Sequence, residues 1–170
     1  MRKHEILKEG EAVSASLQCR TNAPRRILVV EDEPDIRLIN AVVLHRAGYH
    51  VDTAEDGRAG WHTLSHAPDS YALLITDHNM PGLTGLALVK KLREARMILP
   101  VIMATGALPE EDLFDLYPWL QPAVALLKPY SVGQLLGTVE KVLRAAVIPD
   151  EEFAPPPNWQ GQPIPDGLQP

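Results

Sequence analysis

Five short apolar segments, separated by longer stretches with a helical repeat, occupy the central part of the chain. The short segments are rich in β-branched residues, whereas the longer stretches bring apolar residues back every three or four positions. This alternation is typical of βα units, in which helices connect parallel strands. We therefore predict an α/β protein with a parallel sheet, whose strands span residues 27–30, 50–54, 72–76, 100–104 and 124–127.

Several helices have recognisable ends. Asp56 and Ser131 precede the second and the last helical stretch, and both residue types accept hydrogen bonds from the N–H groups of a first helical turn. A short fourth helix is expected to begin at residues 109–112 and to end before Pro118, because a proline inside a helix removes a donor. These signals predict one helix after each strand.

Helical spacing also predicts which faces of two helices are buried. The apolar face of the first helix, which Gly48 ends, is expected to carry Ile36, Ile39, Val43 and Ala47. The far side of the third helix, away from its apolar stripe, is expected to hold Lys90, Lys91 and Arg93.

Four of the predicted strands end in groups suited to phosphoryl chemistry. Glu31 and Asp32 come after the first strand, Asp77 after the third, Thr105 after the fourth and Lys128 after the fifth. In an open parallel sheet, the loops at the carboxyl ends of the strands surround one crevice. We therefore expect these side chains to form one site.

Three carboxylates in one crevice predict a bound cation, because without one they would repel each other and raise their own pKa values. Mg²⁺ prefers octahedral oxygen ligands and keeps several waters. Carboxylates from Asp32 and Asp77, with Glu31 bound directly or through water, would leave room for a phosphate oxygen. The backbone carbonyl of Asn79 is expected to add another ligand, so the predicted cofactor is Mg²⁺.

Asp77 is then the candidate nucleophile, which would form an aspartyl phosphate. Lys128 would supply a point charge and Thr105 a hydroxyl, both directed at the transferring group. The bond between Lys128 and Pro129 is a candidate cis peptide, which would turn the chain and direct the lysine inward. The catalytic residues predicted from the sequence are thus Asp77, Lys128 and Thr105.

Charge and hydropathy limit the partners. Residues 27–145 carry ten Lys or Arg against fifteen acids, and residues 146–170 carry none against four. An acidic surface of this kind argues against a nucleic-acid partner. A membrane partner is not expected either, because no window approaches the roughly 18 apolar residues that span a bilayer and the N-terminus lacks a signal-peptide apolar segment. We expect a cytoplasmic protein.

Composition divides the chain into three parts. A folded domain is expected over residues 25–146, after a flexible N-terminal extension at 1–24. Seven of the sixteen prolines fall between Pro149 and Pro170, which predicts a Pro-rich acidic C-terminal tail at 147–170. The single cysteine, Cys19, excludes an internal disulfide framework.

Four motifs in this order and spacing resemble the receiver domain of two-component response regulators. They are residues 27–34 (ILVVEDEP), 74–82 (LITDHNMPG), 103–105 (MAT) and 127–130 (LKPY). The resemblance implies a flavodoxin-like, doubly wound (βα)5 fold with strand order 2-1-3-4-5. It also implies Mg²⁺-dependent phosphorylation of Asp77 by a histidine kinase or phosphotransfer protein, and signalling through phosphorylation-dependent contact with a downstream protein target.

The chain departs from the family pattern at three positions. Ala125 stands three residues before the lysine, where the family usually has an aromatic residue that moves inward when the threonine shifts. Gly106 follows Thr105 where alanine is commoner, and Thr84 stands where an Asp is often found. Tyr130 is a nearby aromatic, but it follows Pro129 and is expected to point elsewhere.

The sequence thus predicts a single-domain response regulator whose only chemistry is self-phosphorylation from small donors and slow self-dephosphorylation. One alternative is a degenerate receiver that acts as a constitutive docking module, which Ala125 and the irregular fourth helix suggest. Another is a metal-dependent phosphate-ester hydrolase or a flavin carrier on the same fold. The loop at residues 31–34 argues against a flavin or nucleotide, because it lacks the glycines and hydroxyls that cradle a phosphate.

Overall fold

The computed structural model describes residues 25–107, 118–120 and 123–145. Over these ranges the chain forms a parallel sheet in the order β2-β1-β3-β4-β5. Its strands are β1 Arg26–Val30, β2 His50–Ala54, β3 Leu73–Asp77, β4 Val101–Thr105 and β5 Val124–Leu127. The predicted fold class, a flavodoxin-like doubly wound sheet in the order 2-1-3-4-5, is confirmed.

Helices connect these strands and cover both faces of the sheet. Those in the described ranges are α1 Pro34–Arg46, α2 Gly57–His66, α3 Gly85–Glu94 and α4 Val132–Ala145, with a 3₁₀ turn at Pro118–Leu120. The short helix expected from residue 109 lies outside the described residues. No helix in the described part of the chain is both long and apolar enough to cross a membrane.

Both predicted helix caps are confirmed. Asp56 Oδ1 accepts a hydrogen bond from the N–H of Ala59 at 2.7 Å, which fixes the start of α2. At the start of α4, Ser131 Oγ accepts from the N–H of Gln134 at 3.2 Å, and Gln134 Oε1 accepts from the N–H of Ser131 at 2.8 Å. This reciprocal pair is a capping box, which satisfies donors that the helix leaves unbonded.

The two faces of the sheet carry separate apolar cores. Alternate residues of β1 point to opposite faces, so Leu28 packs with α2 and α3 while Ile27 packs with α1 and α4. The three inner strands are buried on both sides, as expected for a sheet covered by helices. Because each fully buried Leu, Ile or Val contributes about 1.5–3 kcal/mol, these two cores hold the edge of the sheet in a fixed geometry.

Two strands are shifted by one residue from their predicted positions. β3 and β4 each begin one residue later than expected and end on Asp77 and Thr105 instead of just before them. The backbone ladder explains the shift, since the N–H of His78 donates to Ala104 O at 2.8 Å and that of Lys128 to Thr105 O at 2.7 Å. Asp77 and Thr105 are therefore held by the sheet itself.

The predicted buried face of α1 was partly wrong. Ile39 is 58% exposed and Ala47 is exposed, whereas Asn40 and Leu44 are the buried residues of this helix. The helix has apolar residues on several sides, so the spacing of Ile39 did not identify the side that crosses the sheet. The side of α1 that packs on β1 and β2 is instead the neighbouring row of side chains, which includes Asn40 and Leu44.

The prediction that Arg93 lies on the outer side of α3 was also wrong, since it is only 1% exposed. Leu86, Val89 and Arg93 follow one another at intervals of three and four and so share one helix face. The guanidinium donates from Nη1 to the carbonyl oxygens of Met97 at 2.9 Å and Leu99 at 3.0 Å. Burial lowers the pKa of Arg93 to about 10.

Candidate functional site

The candidate site lies at the carboxyl edge of the sheet, where β1 and β3 are neighbours. Val30 pairs with Thr76 across these strands, so Glu31 and Asp77 leave the sheet side by side. Gly85 packs directly behind Asp77, and a Cβ atom at this glycine would lie 2.1 Å from the Asp77 carbonyl oxygen. The backbone of Asp77 is thus enclosed by β1, β4 and the start of α3.

Three carboxylates meet at this edge. One oxygen each from Glu31, Asp32 and Asp77 can be chosen so that all three lie within 4.8 Å of one another. Glu31 is 3% exposed and Asp77 is 9% exposed, whereas Asp32 is exposed at the rim. The cluster is therefore buried at its base and open on one side, which fits a hard cation that keeps some of its waters.

Lys128 joins the cluster from β5. Its Nζ lies 3.0 Å from Glu31 Oε2 and 3.1 Å from Asp77 Oδ1. The predicted cis bond between Lys128 and Pro129 is confirmed. Burial by itself lowers the pKa of Lys128, but the hydrogen bonds to Glu31 and Asp77 and the charges of both acids outweigh it, so that the pKa is raised.

The ionised form of the Glu31 carboxyl group is disfavoured at this position, chiefly by burial. Burial raises the pKa of its carboxyl group, and the charge of Asp77 raises it further. Hydrogen bonds from Lys128 and from the backbone of Glu33 act in the opposite direction without cancelling this effect. A second cation at the cluster would relieve the repulsion, because an opposite charge favours the ionised form.

The carboxylate of Asp77 is held on one oxygen. Oδ1 accepts the N–H of His78 at 2.8 Å in addition to the contact with Lys128. Within the described residues, Oδ2 accepts no hydrogen bond. The side chain is thus oriented by Oδ1, and Oδ2 can react without first losing a partner.

Two predicted site residues have less contact with the acid cluster than Lys128 has. Thr105 is buried at the end of β4, but its hydroxyl donates to Ala107 O and accepts the N–H of Ala107 at 3.3 Å. Asn79 is exposed two residues beyond Asp77. Thr105 must therefore exchange a bond within its own loop before its hydroxyl can reach a phosphoryl group.

Sequence inspection missed two polar residues of α1 that contact the loops of the site. Arg37 Nη1 donates to Glu31 O at 2.6 Å, and Asn40 Nδ2 donates to the hydroxyl of Tyr130 at 3.1 Å. The available signal was their position near the N-terminal end of the helix, since helical side chains lean toward the N-terminus, where the site lies. Tyr130 packs against the core on the α1 and α4 face of the sheet, and Ala125 is half-buried in β5.

Comparison with known proteins shows which family the chain belongs to. Residues 27–140 match the family described as response regulator receiver domain. The response regulator receiver protein CpdR of Brucella abortus (strain 2308) is 33% identical over 127 residues, which cover 72% of this chain and 99% of CpdR. The chain belongs to the response regulator receiver domain family, which serves phosphorylation-based signalling in two-component systems. Receiver domains are generally non-enzymatic modules that interact with histidine kinases and downstream targets.

Similarity also extends to a much larger protein. The sensor protein EvgS of Escherichia coli O157:H7 is 39% identical over 99 residues, which make up 57% of this chain but only 8% of EvgS. The matched segment therefore occurs both as nearly the whole of one relative and as a small part of another.

A solved structure supports the same family. The response regulator protein TrrA from Thermotoga maritima, crystallised in complex with Mg²⁺ and BeF, has a TM-score of 0.60 and 31% sequence identity to this chain. The alignment covers 69% of this chain and 98% of TrrA. A similar fold thus binds Mg²⁺, and the cluster of Glu31, Asp32 and Asp77 is compatible with such a cation and with aspartate phosphorylation.

Proposed function

We propose that the protein is a stand-alone response regulator that accepts a phosphoryl group on Asp77 in a Mg²⁺-dependent reaction. The observation that carries this proposal is the position of the Asp77 carboxylate between two further acids and the Lys128 ammonium. The near-complete coverage of CpdR supports the stand-alone form. In this proposal the protein is not an enzyme beyond self-phosphorylation and slow self-dephosphorylation.

The carboxylates of Glu31, Asp32 and Asp77, with the backbone carbonyl of Asn79, would hold Mg²⁺. When bound, the ion supplies charge neutralisation for the oxygens of the phosphoryl group. The burial of Glu31 and the exposure of Asp32 support this assignment, because the ligands would leave an open side for the phosphodonor.

The transfer itself needs one new bond and one broken bond. Oδ2 of Asp77 attacks phosphorus, and the bond from phosphorus to the imidazole nitrogen of a phosphohistidine breaks, with the electron pair remaining on that nitrogen. Lys128 stays paired with Asp77 and stabilises charge on the phosphoryl oxygens. Thr105 would donate its hydroxyl to the same group after leaving Ala107.

The donor is a histidine kinase or a phosphotransfer protein, and the product acts through phosphorylation-dependent contact with a downstream protein. We propose that the protein is cytoplasmic, because the phosphohistidine of the donor is expected to lie on that side of the membrane. We propose neither a nucleic-acid partner nor a membrane partner. The acidic balance of residues 27–145, with ten Lys or Arg against fifteen acids, supports output through protein contact.

Acetyl phosphate with Mg²⁺ tests the proposal without a kinase. Wild type and the variants Asp77→Asn and Asp69→Asn are incubated with the donor, and the added phosphoryl mass is measured. Asp69 is an exposed acid between α2 and β3, and it serves as the matched control. We expect labelling of wild type and Asp69→Asn, loss of labelling in Asp77→Asn, and loss in EDTA. Equal labelling of wild type and Asp77→Asn would refute the assignment.

A further inference from the structure

The loop between β1 and α1 carries two of the three acids but has few contacts of its own. Glu31 is joined to β2 by one backbone bond, from its N–H to Ala54 O at 3.2 Å. Glu33 occupies the N-cap of α1 without a side-chain capping bond, and Pro34, which follows it, has no N–H group. The backbone of residues 31–34 thus offers the carbonyl groups of residues 31–33 few donors of its own, and donors for these groups can come from another element or from solvent.

A single residue supplies those donors. Arg37 Nη1 donates to Glu31 O at 2.6 Å and to Asp32 O at 3.2 Å. The backbone N–H of Arg37 donates to Glu33 O at 2.9 Å. Three successive carbonyl groups of the acid-bearing loop thus accept hydrogen bonds from Arg37.

These bonds determine the direction in which the acids point. The carbonyls of Glu31 and Asp32 belong to the peptide units on either side of the Asp32 Cα, so holding them limits where the Asp32 carboxylate leaves the backbone. For Glu31, the bond to its carbonyl acts together with the bond from its N–H to Ala54 O. A small cation that demands near-ideal octahedral geometry is sensitive to such placement. Both side-chain bonds come from one nitrogen, Nη1, whose two N–H groups lie in the plane of the guanidinium and so hold the two acceptors in a set orientation, whereas the N–H groups of a lysine ammonium rotate.

We propose that Arg37 is a positioning residue for the Mg²⁺ ligands Glu31 and Asp32, acting through the backbone of their loop. This inference rests on the proposed function, because it assumes that the acid cluster binds Mg²⁺. Arg37 contacts neither the carboxylates nor the reacting atoms, so its effect is on the geometry of the ligands.

A positioning role and a purely electrostatic role of Arg37 predict opposite changes in the affinity for Mg²⁺ when this residue is replaced. A cation close to three carboxylates repels Mg²⁺, so loss of the charge alone would tighten Mg²⁺ binding. Loss of the hydrogen bonds loosens the loop and weakens Mg²⁺ binding. The sign of the change in affinity therefore distinguishes a positioning role from a purely electrostatic one.

The experiment is a Mg²⁺ titration of the full chain, without any phosphodonor, followed by amide NMR shifts. Wild type is compared with Arg37→Met, Arg37→Lys and the control Arg46→Met, which changes an exposed residue in the last turn of the same helix. We expect the Mg²⁺ dissociation constant to rise about tenfold in Arg37→Met, as for other groups that orient metal ligands. We expect a smaller rise in Arg37→Lys, and no change in Arg46→Met.

A second readout separates ligand placement from the chemical step. The labelling rate of Arg37→Met with acetyl phosphate should be low at limiting Mg²⁺ and should recover as Mg²⁺ is raised, because only the affinity for the ion is affected. Thermal unfolding of each variant checks that the fold is intact.

An affinity for Mg²⁺ that is unchanged or tighter in Arg37→Met would overturn the inference. If Arg37→Met does not fold, Arg37→Lys decides alone, and a wild-type dissociation constant in that variant overturns it. A wild type that shows no response to Mg²⁺ would instead refute the proposed Mg²⁺ dependence, and with it the inference.

Discussion

At the scale of single residues, Gly85 packs the start of α3 against the backbone of Asp77. A methyl group at this position would collide with the carbonyl oxygen of Asp77, which is part of a strand and cannot move aside easily. We expect Gly85→Ala to lower the free energy of unfolding by about 1–3 kcal/mol, the usual cost of overpacking. Phosphorylation by acetyl phosphate should slow as well, because Asp77 is displaced. Urea unfolding and labelling rates measure the two effects.

Gly137 provides the matched control for this change. It lies in α4, is exposed, and has no heavy atom within 4 Å of an added Cβ among the described residues. Gly137→Ala should therefore stabilise the protein by up to about 1 kcal/mol through helix propensity and should label normally. Equal stability of Gly85→Ala and wild type would show that the close packing behind Asp77 is not a constraint.

Glu31 makes the stability of the metal-free protein depend on pH. Burial raises the pKa of its carboxyl above the ordinary value of 4.5, and Asp77 adds to this effect. A raised folded-state pKa means that the stability contributed by the neutral acid is present below pH 4.5 and is lost as pH rises through the folded-state value. In EDTA, Glu31→Gln should thus be more stable than wild type at neutral pH, and this advantage should disappear in acid.

Urea unfolding of both proteins across this pH range measures the difference. Asp69→Asn serves as a control for the loss of an acid outside the cluster. A stability advantage of Glu31→Gln that grows as pH falls would contradict the account of Glu31.

At the scale of elements, α1 is tied to the loop before α4. Asn40 is 4% exposed, and its Nδ2 donates to the Tyr130 hydroxyl two residues beyond Lys128. Tyr130→Phe leaves a buried amide without this acceptor, so we expect a loss of about 1–3 kcal/mol in the free energy of unfolding. Tyr49→Phe, in a ring that packs on the same core, should cost less. Urea unfolding of the two variants tests this, and equal losses would contradict it.

The elements themselves were largely predictable from the sequence, because strands and helices differ in the period of their apolar residues. Which helix face is buried was less predictable. Ile39 and Arg93 were placed on the wrong sides, since the choice depends on how each helix crosses the sheet and on carbonyl groups such as Leu99 O that become available only after folding.

The site was predictable to a similar extent. Loops at the carboxyl ends of the strands surround one crevice in an open parallel sheet, so the proximity of Glu31, Asp77 and Lys128 was predicted without coordinates. The contacts of Arg37 and of Asn40 with Tyr130 depend on side-chain directions across different elements, and no spacing rule shows them. The hydroxyl of Thr105 was expected to face the site, but its bond to Ala107 depends on the local loop geometry.

At the scale of the whole molecule, Mg²⁺ binding should couple to folding. A ligand that binds only the folded state stabilises it by about 2.7 kcal/mol when present at roughly 100 times its dissociation constant. We expect Mg²⁺ to raise the midpoint of thermal unfolding, EDTA to reverse the rise, and Asp32→Asn to reduce it. NaCl at matched ionic strength controls for screening, and an equal rise with NaCl would argue against a specific site.

The central claim is that Asp77 becomes a phosphoaspartate. Borohydride reduces an acyl phosphate to an alcohol and releases phosphate, so a phosphorylated aspartate becomes homoserine at its own position. The protein is treated with acetyl phosphate and Mg²⁺, reduced, digested and analysed by peptide mass spectrometry. We predict homoserine at position 77, dependent on both the donor and Mg²⁺. Homoserine at Asp32 or at another acid, with none at position 77, would contradict the account.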